Sequence, residues 1–244
     1  MIILGLDTTT LACSVALLNG DLLTAEFTLN TRKTHSERLL PLIDFLLREC
    51  SVEREQLEAV AAAAGPGSFT GIRIGLATAR GLAQGLAIPA VGVSTLEALA
   101  DAVAVPGALI CPLLDARRSQ VYAALYRREP APELDLELII PPAATALSAL
   151  VDRLKGYQQT VIFTGEGLQS YGGFLRESMG DRAVLMAPPL RFNRAGLVAW
   201  RGHRLLAAHR GLSYRELLPI YLRRPEAERL AEATKGGAFI AGDH

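Results

Sequence analysis

Two short stretches of this sequence place an aspartate where an apolar run meets a turn. Asp7-Thr8-Thr9-Thr10 follows residues 2–6, and Asp115-Ala116-Arg117-Arg118 closes a second apolar run. A carboxylate with hydroxyls in a tight turn between strands can hold a hydrated magnesium ion and phosphate oxygens. The paired arginines could clamp a phosphate or form surface ion pairs, and Asp and Thr are also ordinary turn formers. The most distinctive stretch is Gly65-Pro66-Gly67-Ser68-Phe69-Thr70-Gly71-Ile72-Arg73-Ile74-Gly75. It lacks the Lys-Ser/Thr of a Walker A loop and does not match a dinucleotide fingerprint, although glycines ahead of a helix can cradle an anion on free amides. Gly71, Gly75 and Ala79 are spaced by four, as are Gly81 and Gly85. A glycine inside a helix costs about 1 kcal/mol relative to alanine. The stripe therefore predicts close approach by another surface, either the protein's own sheet or a partner. No H-E-x-x-H, G-x-S-x-G or paired-carboxylate motif occurs, so neither catalytic nor metal-ligating residues are predicted.

Alternating elements must position these turns. Strands are predicted over 2–7, 12–18 and 22–29, the last two joined by Asn19-Gly20, a hairpin signal. Thr34 and Glu37 have capping-box spacing ahead of a helix running to about 49, apolar on several sides and interrupted by Pro41. A strand at 57–64, a helix at 70–86, a strand at 89–93 and a third helix, opened by Ser94 and Glu97, complete this half. After Pro106 the order restarts: strands at 108–115, 120–127 and 133–140, helices around 143–154, 168–179 and 195–211, and a strand at 160–164. Two three-strand starts, each with an aspartate ending its first strand, predict a duplicated α/β domain. The predicted domains are 1–105 and 106–224, the last segment packing back on the first domain. Residues 225–244 are expected to form a mobile tail.

Composition narrows the function classes. The 244 residues are half apolar with a mean hydropathy of +0.25, which excludes disorder as the main state. The net charge is zero, which argues against a lone nucleic-acid binder. Residues 1–122 nevertheless carry 9 basic and 12 acidic side chains, and residues 123–244 carry 16 and 13, a mild polarity suited to a shared surface. Three dispersed cysteines without a C-x-x-C pair make a disulfide framework or zinc site an unfavoured reading and suit a reducing cytoplasm. The N-terminus lacks a basic region, and the longest uncharged stretch, 81–96, is too short to span a membrane.

The opening Ile3-Leu4-Gly5-Leu6-Asp7-Thr8-Thr9-Thr10, the run from His35 to Ile43 and the Gly65–Gly75 block resemble the TsaB family, bacterial proteins also called YeaZ. Asp115-Ala116-Arg117-Arg118 and Pro219-Ile220-Tyr221-Leu222-Arg223 resemble its second-half signatures. The resemblance implies an actin-like, sugar-kinase/Hsp70 (ASKHA) fold of two ribonuclease-H-like domains with mixed sheets flanked by helices. It also implies a role in forming N6-threonylcarbamoyladenosine beside the tRNA anticodon, in partnership with the transferase TsaD and the ATPase TsaE. TsaD holds its metal with two histidines in a His-Met-Glu-Gly-His segment. The matching stretch here reads Thr95-Leu96-Glu97-Ala98-Leu99, so both ligand positions are lost.

By that resemblance this chain is a non-catalytic subunit with no cofactor requirement of its own, ATP or ADP and magnesium belonging to the assembled complex. It would pair with TsaD, or with a second copy when isolated, and meet tRNA through the complex. The interface is expected near Leu39, Leu42, Ile43, Leu46, Gly71, Ile74, Gly75 and Thr78. Gly75→Arg or Leu42→Asp should block pairing and leave the monomer folded. Asp7, Thr8, Thr9 and Asp115 would line a remnant nucleotide cleft. Two alternatives remain: an ATP-dependent phosphotransferase or ATPase using Asp7 and Asp115, and a metallopeptidase, which the missing histidines disfavour.

Overall fold

The computed structural model describes residues 1–31, 34–130, 135–208 and 213–223. The expected tail at 225–244 and the end of the last expected helix lie outside the described residues. In the first half, β1 (Ile2–Asp7), β2 (Cys13–Asn19), β3 (Leu22–Leu29), β4 (Ala59–Gly65) and β5 (Ala90–Ser94) form a sheet in the order β3-β2-β1-β4-β5. The strands β1, β2 and β3 are antiparallel neighbours, whereas β4 and β5 continue the sheet in parallel with β1. In the second half, β6 (Leu109–Asp115), β7 (Gln120–Arg128), β8 (Leu136–Ala146), β9 (Val161–Thr164) and β10 (Ala183–Leu185) repeat that arrangement in the order β10-β9-β6-β7-β8. Their pairings carry the same senses. The chain is therefore two mixed five-stranded α/β units of the same ribonuclease-H-like strand order, the architecture that the resemblance implies.

The helices α1 (His35–Glu49), α2 (Phe69–Leu86) and α3 (Thr95–Asp101) belong to the first half, and α4 (Leu147–Lys155), α5 (Leu168–Met179) and α6 (Ala195–Ala207) to the second. None of the described helices is long and apolar enough to cross a membrane. The central strand β4, Ala-Val-Ala-Ala-Ala-Ala-Gly, is buried along its whole length. Its small side chains let helices approach from both faces, as a parallel strand covered on both sides requires. On one face lie α1 and α2. On the other lies α6, which crosses back from the second half onto β1, β2, β4 and β5. Gly202 makes that approach feasible, since a Cβ there would lie 2.5 Å from Ala61 Cβ. In return, Leu96, Leu99, Ala100 and Val103 of the α3 segment pack with Ile110, Leu114 and Tyr126 on the second sheet.

Where the halves exchange helices, a buried ion cluster ties them together. Asp101, whose side chain is 1 % exposed, accepts two bonds of 2.6 Å from Arg201 of α6 and one of 3.2 Å from Arg128 of β7. Arg128 also donates to the Ala100 and Val103 carbonyls at the C-terminus of α3, where cations are favoured. Arg201 reaches Asp135 at 3.0 Å.

Several local expectations are revised. Thr34 does not cap α1 with its side chain; its hydroxyl is taken by Ser36. Ser94 caps α3 by accepting from the Glu97 amide. The third strand of the second half continues through Pro141-Pro142 to Ala146, so α4 starts at Leu147 rather than near 143. Prolines are tolerated there because β8 is an edge strand. The three-residue β10 is not expected from the sequence, because so short a run carries no periodic signal.

Candidate functional site: an arginine-lined cleft between the halves

β1 delivers Asp7 to a turn that is almost wholly buried. Asp7 Oδ1 accepts from the Thr9 amide at 2.9 Å and the Thr9 hydroxyl at 2.7 Å. Asp7 Oδ2 accepts from Asn193 Nδ2 at 3.2 Å, and that amide also donates to Thr9 Oγ1 at 3.1 Å. Asp7 is 1 % exposed, and burial raises its pKa against the pull of these donors. The Thr8 hydroxyl donates to the Gly71 carbonyl at 2.7 Å, and the Ser68 amide donates to the Thr9 carbonyl at 2.7 Å.

This packing explains the glycine block. A Cβ on Gly67 would strike the Thr9 carbonyl, one on Gly71 would strike the Thr8 carbonyl, and one on Gly75 would lie 2.5 Å from Thr8 Oγ1. The glycines let the first turns of α2 lie directly against the Asp7 turn. That corrects the expectation placing Gly71 and Gly75 at a partner interface: both are buried within the chain. Gly81 and Gly85 differ, facing open space with nothing within 4 Å of where a methyl would sit. The expected interface residues of α1 divide similarly. Leu39, Ile43 and Leu46 point into the first core, because a helix packed on a sheet turns its most apolar stripe inward. Leu42, Ile74 and Thr78 are half-buried, while Leu40 and Phe45 are the exposed large apolar residues of α1.

Above the turn lies a cleft of about 690 Å³ between the halves. Thr9, Thr10, Phe69 and Arg73 line it from the first half, and Asp115, Arg117, Arg118, Tyr122, Glu166 and Arg223 from the second. Of the four residues expected there, Thr9 and Asp115 face the cleft, whereas Asp7 and Thr8 lie beneath its floor. Asp115 Oδ1 accepts from the Arg117 amide at 2.7 Å and the Tyr171 hydroxyl at 3.0 Å. Arg117, Arg118 and Ser119 all adopt left-handed backbone, with φ of 62°, 54° and 57°. That conformation costs roughly 1–2 kcal/mol per residue and recurs where a loop must present side chains to a ligand. Glu166 is pushed up to about 7 by burial and then by the charges of Asp115 and Asp7.

The C-terminal signature crosses the mouth of the cleft. The Ile220 amide donates to the Ala64 carbonyl at 2.7 Å, the Tyr221 ring stacks on Phe69 at 4.6 Å, and its hydroxyl accepts from Arg73 at 3.0 Å. Arg223 then donates to the Ala116 carbonyl at 2.7 Å and to Gln120 in the second half. Asn193 and Glu166 carry no expectation from the sequence, and Arg73 and Arg223 stand within quoted motifs without an assigned role. Glu166 had a signal: Gly165-Glu166-Gly167 follows β9 as Gly65-Pro66-Gly67 follows β4, with φ of 100° and 113° at the leading glycines.

The first aspartate is not presented to a magnesium-held nucleotide: Asp7 is buried and both its oxygens accept bonds from the protein. Asp115 Oδ1 has two donors, from Arg117 and Tyr171. The positions that the resemblance sets against the transferase's histidines are packed: Thr95 and Leu99 are buried, Leu99 within the apolar cluster between α3 and the second sheet. Among the described residues, no group of three or more His, Cys, Asp or Glu is placed to hold a metal ion.

Comparison with known proteins adds an independent line. A family model described as TsaD, tRNA N6-adenosine threonylcarbamoyltransferase, matches residues 24–174. The Bacillus subtilis "tRNA threonylcarbamoyladenosine biosynthesis protein TsaB" is 34% identical over 93% of this chain and 96% of its own length. Its Escherichia coli namesake is 44% identical over 53% of this chain and 56% of its own. The solved structure of YeaZ from Pseudomonas aeruginosa superimposes with a TM-score of 0.74 at 30% identity, covering 91% of this chain and 99% of that one.

Proposed function

The chain belongs to the TsaB (YeaZ) family, and we propose that it works in tRNA threonylcarbamoyladenosine biosynthesis as a non-catalytic subunit of the TsaD transferase. TsaE is the third component, tRNA is met through the complex, and the isolated chain pairs with a second copy of itself. The work is cytoplasmic, and ATP or ADP and magnesium belong to the partners. The observation that carries the reading is the closed state of Asp7. A carboxylate that is 1 % exposed and accepts three hydrogen bonds from its own chain is committed to holding its turn, with a single acceptor site left on a buried Oδ2. The phosphotransferase alternative requires that carboxylate to be open to the cleft. The metallopeptidase alternative requires ligands at positions now held by Thr95 and Leu99.

The pairing surface is the outer flank of α1 and α2. Leu40 is 55 % exposed, Leu42, Ile74 and Thr78 are half-buried, and Gly81 and Gly85 leave room for a neighbouring helix. Leu42→Asp remains a pairing test, and Leu40→Asp is a cleaner one because its side chain contributes little to the monomer's core. Gly75→Arg does not test pairing, since a side chain there would expel Thr8. The function is tested by reconstituting threonylcarbamoyl transfer to tRNA with TsaD and TsaE, with and without this chain. Transfer should depend on it and fall with Leu40→Asp. Undiminished transfer in its absence, with no complex formed, would refute the reading.

A further inference from the structure

We propose that the cleft takes a short single-stranded segment of RNA, held by arginines and aromatic rings without a metal ion. The inference rests on the subunit reading above and adds a nucleic-acid contact within this chain. Arg73, Arg117, Arg118 and Arg223 line the cleft from three separate elements: α2, the β6–β7 turn and the C-terminal strap; Arg73 and Arg223 add their charge while bonded to Tyr221 and to Ala116 and Gln120. Guanidinium groups distributed in this way match successive phosphates along a strand better than the clustered oxygens of one triphosphate. The divalent cation that a triphosphate brings with it also finds its natural ligand, Asp7, sealed below the floor.

The backbone of the β6–β7 turn supports the same ligand. Three consecutive left-handed residues hold Arg117 and Arg118 out from the sheet, and Asp115 fixes the turn by accepting the Arg117 amide. Phe69 and the stacked Tyr221 stand at the mouth; Tyr122 lines the cleft from within the buried apolar cluster and offers no stacking face. Arginines along a groove interleaved with aromatic faces form the arrangement that binds single strands, because every base offers a face to stack and every phosphate a charge. Glu166 and Asp115 are the opposing charges, and His35 of α1, whose Nε2 bonds the Thr10 carbonyl at 2.9 Å, is a further titratable group on the lining. Below about pH 7 Glu166 takes up a proton and the field becomes more positive, so RNA binding should strengthen as pH falls through that range.

The test uses the full chain and a short fluorescein-labelled single-stranded oligoribonucleotide in EDTA. Fluorescence anisotropy should give saturable binding that survives EDTA, weakens steeply with salt, and falls at least about tenfold in Arg117→Glu/Arg118→Glu. Arg54→Glu, half that charge change on an exposed ion pair away from the cleft, should leave binding unchanged. Unaltered thermal melting of the double variant shows that loss is not unfolding. The proposal is overturned if the oligoribonucleotide fails to bind, if magnesium–ATP binds in its place, or if the double variant loses its association with TsaD while RNA binding persists. Wild-type chain that supports transfer with TsaD and TsaE but binds no oligoribonucleotide sinks this inference and leaves the subunit reading standing. Absence of transfer dependence sinks the reading itself.

Discussion

Alanine substitutions along α2 should change sign within a single helix. Gly71 and Gly75 face the Thr8 turn, whereas Gly81 and Gly85 face open space. All four replacements recover about 1 kcal/mol of helix propensity. At Gly81 and Gly85 nothing opposes that gain, so each should stabilise the protein by roughly 0.5–1 kcal/mol. At Gly71 the new methyl meets the Thr8 carbonyl, and at Gly75 it lies 2.5 Å from Thr8 Oγ1. Thr8 cannot retreat freely: it is 1 % exposed and its hydroxyl is bonded to the Gly71 carbonyl. Overpacking of this kind costs about 1–3 kcal/mol, and displacing the hydroxyl adds about 1 kcal/mol for the lost bond. After subtracting the propensity gain of about 1 kcal/mol, Gly71→Ala and Gly75→Ala should each destabilise by roughly 1–3 kcal/mol. Urea titration followed by the fluorescence of Trp200, the single tryptophan, on α6 against the first sheet, reads the difference directly. Equal effects at all four positions would refute the claim that the glycine block serves the Asp7 turn.

Two further perturbations probe the electrostatics. Glu166 has a raised folded pKa, so the native state binds the extra proton and stability falls as pH rises from about 4.5 to about 7. Glu166→Gln should therefore be near neutral at pH 5 and stabilising by on the order of 1–2 kcal/mol at pH 8, a figure reduced for the carboxyl's partial exposure; the same effect at both pH values would disprove the assignment. Asp101→Asn leaves Arg128 and Arg201 buried beside a neutral partner and should cost about 3 kcal/mol in denaturant unfolding, whereas a change below about 1 kcal/mol would show that the cluster contributes little to joining the halves.

The parts of the fold that were legible in the sequence are those governed by local pattern. The alternation of residues 22–29 and the Asn19-Gly20 turn give β3 to the residue, and the aspartates closing β1 and β6 mark the duplication. The faces of α1 were not legible, because leucines at 39, 40, 42, 46 and 47 offer several apolar stripes and only the sheet beneath decides which is inward. The role of the glycine block was half legible: its spacing announced close approach, but not that the approaching surface is the Asp7 turn, far upstream in the chain. Asn193 was invisible, since its bond to Asp7 joins residues 186 apart and nothing around it forms a motif. That amide separates a chain whose first aspartate resembles a metal ligand from one whose aspartate is closed.

The central claim is that this closed carboxylate does no chemistry, and Asp7→Asn tests it most directly. Asn193 Oδ1 is buried without a partner, so a flipped Asn193 amide can accept from the side-chain amide introduced at position 7; the two Thr9 bonds to the position-7 oxygen are kept, and the Asn193 bond to Thr9 Oγ1 is given up. The variant should fold with a stability within about 1–2 kcal/mol of wild type, since removal of a buried charge offsets the lost Asn193–Thr9 bond. In the reconstituted reaction with TsaD and TsaE it should support threonylcarbamoyl transfer at the wild-type rate. A loss of about a hundredfold or more, with the fold and the complex intact, would contradict the account and make Asp7 a working residue.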